Sequence, residues 1–125
     1  MSELKIFQLI SWISLPTVMF GGYSLLGAAG DKLTPDQRGL FRAGHAHAGV
    51  LLILSLVYEQ AIAAVPLGLA TKQIGCALLI AGILLQSGGF FWRAFLGAAG
   101  KSFTRIGALV LAASLILLIV GLAGA

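Results

Sequence analysis

Four runs of about twenty or more mostly apolar residues, separated by short polar or glycine- and proline-containing breaks, constrain this chain more than any other feature. They fall near residues 6–28, 35–65, 71–96 and 102–122. Each supplies the ~20 residues that a helix needs to cross a hydrocarbon core. None shows the period-two alternation of a strand, and an open sheet cannot satisfy its edges in lipid, so each run is read as a helix. Of the 125 residues, 59% are hydrophobic and only 10% charged, with a mean hydropathy of +1.03. A soluble domain carries ~25% charged residues, and a soluble chain of this length could not bury so much apolar surface. The expected fold is all-α: one integral membrane domain over residues 1–125, built as a four-helix bundle. Short connections make neighbouring helices antiparallel.

Local signals set several boundaries. Thr34 reads as a helix N-cap, with Pro35 at the first helical position and Asp36 in the first turn. Pro66 ends the second helix. Pro16 falls inside the first run, where Ser11, Ser14 and Thr17 stand ready to satisfy backbone groups freed by a kink. Lys5 followed by the apolar stretch up to Met19 imitates a signal peptide, and Gly27-Ala28-Ala29-Gly30 a cleavage site. The run continues to about Leu26, long enough to span, so a retained helix is the preferred reading.

The basic residues set an expected orientation. Lys32, Arg38 and Arg42 flank the first break, and Arg93, Lys101 and Arg105 flank the third; only Lys5 and Lys72 lie on the opposite side. Six against two places the first and third loops in the cytoplasm and both termini outside, in a bacterial inner membrane. The net charge of +4 sits at the ends of apolar runs, which suits phospholipid headgroups and argues against nucleic acid as a partner. Small residues occur in every run. The pairs Gly44/Ala48 and Ala108/Ala112, four apart, are suited to close helix approach. A 12.9 kDa chain with such faces has little interior of its own, so a homo-oligomer or a place in a larger membrane complex is expected. Cys76, the one cysteine, has no disulfide partner and reads as a small packing residue. Phosphate-binding loops and hydrolase constellations are absent from the sequence, so nothing in it supports a soluble-type enzyme.

The sharpest functional signal is Arg42-Ala43-Gly44-His45-Ala46-His47-Ala48-Gly49, which holds both histidines. At about 1.5 Å per residue they lie roughly 6 to 11 Å inside the membrane from the cytoplasmic side. Tyr23 and Ser24 of the first run, and Gln86, Ser87 and Arg93 of the third, fall in the same layer, so a shared polar pocket is expected there. Residues two apart on a helix point about 200° away from each other, so one regular helix cannot aim both imidazoles at one metal. His47 shares a face with Leu51, Leu54 and Tyr58; His45 shares one with Gly49, Leu52 and Glu59.

Three readings follow. One histidine ligates heme or copper, with Met19 or the matching histidine of a second subunit as the other axial ligand and Arg93 as a propionate partner. Alternatively, the histidines relay protons or gate a conduit in a small channel or transporter. Or they are buried packing residues bonded to Tyr23, Gln86 or a backbone carbonyl. Glu59 reads as a snorkelling carboxylate near the outer interface that can accept a proton or pair with Lys72. Trp12, Tyr58 and Trp92 suit aromatic belts, and Arg93 a cytoplasmic anchor.

The stretch from Arg42 to Tyr58, with His45 and His47 leading into Leu51-Leu52-Ile53-Leu54, resembles small four-helix bacterial membrane proteins with a His-x-His at the head of the second helix. Those in turn resemble a fragment of the heme–copper oxidase catalytic subunit. The resemblance implies His45 and His47 as heme or copper ligands. The remaining oxidase histidines are missing, so it does not imply oxygen reduction by this chain alone. A non-catalytic accessory subunit of a respiratory or transport complex is the third function class considered.

Overall fold

The computed structural model describes residues 4–125; the first three residues of the expected domain lie outside it. Helix α1 covers Lys5–Leu26, a single turn α2 covers Ala28–Asp31, and α3, α4 and α5 cover Pro35–Ala64, Leu69–Leu96 and Ala98–Ala123. No strand occurs among the described residues. All four long helices are long and apolar enough to cross a membrane. Large apolar side chains such as Ile13, Phe20, Val50, Leu84, Leu109 and Ile119 point away from the protein.

The start of α3 is where the sequence placed it. Thr34 accepts from the Gln37 amide at 3.3 Å, and the Gln37 side chain accepts from the Thr34 amide at 3.1 Å, which completes a capping box ahead of Pro35. The other end of the same Gln37 amide group donates to the Ala94 carbonyl at 3.2 Å and ties this terminus to the end of α4. Phe41 packs edge-on against Phe91 and Phe95 beside it.

Two helix starts, the end of α1 at Leu26 rather than near residue 28, and the first loop differ from expectation. α4 starts at Leu69 rather than near residue 71. α5 starts at Ala98 rather than near residue 102, because the whole α4–α5 connection is Gly97. That residue takes φ +56°, a backbone conformation that side chains disfavour. The extra turn α2 fills part of the first loop. α1 runs through Pro16, but no nearby hydroxyl reaches the carbonyl that the proline leaves free. Ser14 and Thr17 bond the Ile10 and Ile13 carbonyls, and Ser11 turns into the core.

The helices neighbour one another in chain order. α4 and α5 make the most extensive interface, α3 lies on α4, and α1 lies on α3 with only slight contact to α4. Each neighbouring pair is antiparallel: Gly89, Gln86 and Gly82 of α4 face Thr104, Gly107 and Leu111 of α5 in reverse order. The buried small residues of these two helices are seven apart: Gly75, Gly82 and Gly89 on α4, and Gly100, Gly107, Ser114 and Gly121 on α5. A spacing of seven holds one seam along a helix pair, so the two backbones touch along their length. A side chain at Gly107 would run into the backbone of Gln86. Gly44 and Ala48 of α3 are buried as a close-approach pair should be, whereas Ala108 and Ala112 face outward. The core lies between α3, α4 and α5, around Tyr58, Ile62, Cys76, Leu79, Ile83 and Leu111.

Candidate functional site

The two histidines sit at one end of the molecule and look in opposite directions, as the helical period requires. His45 faces α1, where its ring lies over Gly22; a Cβ there would come within 2.5 Å of Nε2. With Ser24, Gly21, Phe41 and Phe91 it borders a cavity of about 350 Å³. His47 faces α4 and packs on Phe90, with ring centroids 4.7 Å apart. Its Nδ1 lies 2.9 Å from the Ala43 carbonyl one turn back. A carbonyl can only accept, so Nδ1 donates in this bond and Nε2 is the nitrogen left for another partner.

The other residues of the expected polar layer do not converge on a common point. Tyr23 is 75% exposed on the outer side of α1, and Ser24 donates to the Phe20 carbonyl of its own helix. Met19 is 68% exposed on α1, away from the α4 side that His47 faces. Gln86 lies against Gly107 of α5, and Arg93 is exposed near the end of α4. Ser87 is buried, 5% exposed, and its hydroxyl has no partner.

Glu59 departs from expectation most. It does not snorkel and does not pair with Lys72, whose ammonium donates to the Ala63 carbonyl at 2.8 Å. Its side chain turns inward and is 0% exposed. Ser11 of α1 donates to Oε1 at 2.8 Å, and Ser55, one turn before Glu59 on α3, has its single proton between the Ser11 hydroxyl at 2.8 Å and the Leu52 carbonyl at 2.7 Å. Oε2 is buried with no hydrogen-bond partner. The physical reason is the facing helix. A snorkelling carboxylate gains water, but here α1 covers the α3 face that bears Ser55 and Glu59 and supplies a hydroxyl at the right height. Tyr58 points the other way, into the core rather than to an interfacial belt, and donates to the Ser114 carbonyl of α5 at 3.0 Å. The Ser114 hydroxyl then donates to the Gly75 carbonyl of α4 at 2.9 Å.

The polar interior is therefore in the half of the molecule away from the histidines. Twelve residues of α3 separate His47 from Glu59, about 18 Å at ~1.5 Å per residue. The sequence reading missed Ser11, Ser55 and Ser114 as members of it. Part of the signal was present: Ser55 and Glu59 stand four apart, on one face. Ser11 becomes a partner only once α1 and α3 are paired in antiparallel register.

The residues can be tested against the groups that the histidines suggest. Among the described residues no three His, Cys, Asp or Glu side chains gather as a metal site would need, and His45 and His47 do not share a ligand position, so a copper centre does not fit. A heme needs only one axial imidazole from this chain, and His47, with its proton fixed on Nδ1, has the right tautomer. Compared with known proteins, the chain matches no family model, no curated protein and no solved structure.

Proposed function

We propose that the protein spans the bacterial inner membrane four times, with both termini outside and the six basic loop residues in the cytoplasm, and that it moves protons through its bundle by way of Glu59. The observation that carries this reading is the buried carboxyl, bonded on Oε1 and unpartnered on Oε2, inside a helix long and apolar enough to span. An ionisable group at such a place is costly, and the default explanation for its presence is a task that needs it. A metal cation would want about six to eight oxygen ligands, and the cluster offers only a carboxyl and two serines. A proton needs a single atom. Ser11 is the first hydroxyl through which it would be handed on, and Ser55, also bonded to the Leu52 carbonyl, stands next to it.

The test is proton flux into proteoliposomes under an imposed potential, read with an entrapped pH dye. The wild type should acidify the lumen, and Glu59→Gln, which keeps size and hydrogen bonding but cannot ionise, should lower the rate at least tenfold. Equal flux from both proteins would overturn the reading.

A second reading is supported by the fixed His47 tautomer. Nε2 has no hydrogen-bond partner, and the ring borders a shallow hollow of about 290 Å³ with Ala46, Val50 and Leu51. There His47 would supply one axial nitrogen to a heme shared with the matching histidine of a second copy, a redox group for electron transfer. A Soret band in the purified protein that disappears in His47→Ala and survives in His45→Ala supports it. A colourless protein from heme-supplemented cells counts against it.

A further inference from the structure

The α4–α5 hairpin carries charge of one sign only. The acidic residues of the chain are Glu3, Asp31, Asp36 and Glu59, and none belongs to the hairpin. Around its turn stand Arg93 on α4 and Lys101 and Arg105 on α5, all exposed. Among the described residues, the side chains of these three form no ion pair or hydrogen bond.

The fold brings them together. Gly97 is the whole connection, and Gly100 lies against the backbone of Arg93, so Arg93 and Lys101 leave touching stretches of chain. Arg93 follows Gly89, which meets Thr104, by one helical turn, and so leaves α4 on the side of α5. Lys101 and Arg105 are also one turn apart and share a face of α5, where like charges repel. The other cations of this end, Lys32, Arg38 and Arg42, have Asp31 and Asp36 nearby in the chain. Nothing in the hairpin offsets its own, so an anion from outside the protein is wanted there.

Depth decides which anion. α5 has 26 residues, about 39 Å of helix, against the ~30 Å of a hydrocarbon core. Its far end, Gly121-Leu122-Ala123, is uncharged, so the excess length falls at the charged end. Arg93 and Lys101 lie about 6 Å along their helices from Gly97, and Arg105 about 12 Å. That is the layer of phosphate and glycerol rather than the water beyond it, and the long stem of Arg105 can reach back to it. The face that bears Lys101 and Arg105 continues through Ala108 and Ala112, both turned outward, so an acyl chain can lie flat below the cations.

We propose that the α4–α5 turn binds an anionic phospholipid, its phosphate held by Arg93, Lys101 and Arg105 and one acyl chain lying along the α5 face below them. This is a lipid bound at one place, beyond the general attraction of basic helix ends for a membrane. It rests on the spanning part of the proposed function and not on proton movement through Glu59.

The test is native mass spectrometry of the full chain in detergent, titrated with phosphatidylglycerol or with phosphatidylcholine of the same acyl chains. The wild type should bind phosphatidylglycerol at least tenfold more tightly, and inorganic phosphate should not displace it. Replacing Arg93, Lys101 and Arg105 together by Gln should abolish the preference. Replacing Lys32, Arg38 and Arg42 together by Gln, which removes as much charge from the same end, should leave it within about twofold. If the first variant does not fold, Lys101→Gln alone, at an exposed site, should still lower the preference about fivefold. Equal affinity for the two lipids, or a preference that survives loss of the hairpin cations, would overturn the proposal. Displacement by inorganic phosphate would overturn the lipid as occupant. Alkaline carbonate washing of membranes tests the span separately. A chain it releases does not span; one that stays but shows no headgroup preference defeats only the lipid site.

Discussion

The α4–α5 hairpin and the α1–α3 pair solve the same problem in opposite ways. In the hairpin, glycines spaced by seven bring two backbones into contact, and one residue joins the helices. In the α1–α3 pair, Ser11 is the only described residue of α1 buried by the packing, and it is held by a carboxyl rather than by close-packed surface. The difference separates a close-packed hairpin from a helix held at one polar point. Dispersion between touching backbones is dense and geometrically strict. A hydroxyl–carboxyl bond is local and easily exchanged for another partner. The buried Glu59 lies where α1 meets the rest of the protein.

The largest test of this contrast is Gly107→Leu. The new side chain meets the backbone of Gln86, which can move only if the helices part. Overpacking of this kind costs about 3 kcal/mol or more, read as a fall in the unfolding midpoint in detergent. Gly39→Leu is the control: nothing lies within 4 Å of a Cβ there, and the midpoint should not fall. A hairpin that tolerates Gly107→Leu would erase the distinction.

Ser11→Ala is next. It leaves both oxygens of a fully buried carboxyl without a hydrogen bond, at a cost of about 1–3 kcal/mol. Hydrogen exchange should quicken in α1 and leave α4 and α5 unchanged. If α1 keeps its protection, the serine is not what holds it.

Tyr58→Phe should have the smallest effect. It removes one bond, from α3 to the Ser114 carbonyl, worth about 1 kcal/mol in the same unfolding assay. The α4–α5 seam does not use that hydroxyl, so exchange there should match the wild type.

These contrasts also mark what could be read without coordinates. Length and polarity give the four helices, and Thr34-Pro35-Asp36 gives the start of α3, because caps and spans are local properties. Gly97 was harder: Gly97-Ala98-Ala99-Gly100 looks like a small-residue loop, yet one residue in a left-handed conformation makes the turn and the rest is helix. Close-approach pairs were sought four apart. That found Gly44 and Ala48 but passed over the spacing of seven that organises α4 and α5. The faces of His45 and His47 followed from the helical period. The inward turn of Glu59 did not, because its partner lies 48 residues away on another helix.

One consequence of the chain-order arrangement concerns how the molecule comes together. Every large interface joins consecutive long helices, so mean sequence separation between touching residues is low, a property that goes with rapid folding. Each new helix can settle on the one made just before it. The Tyr58–Ser114 bond spans two interhelical turns and joins α5 to α3 across the end of α4, so it can form only after both later helices are in place.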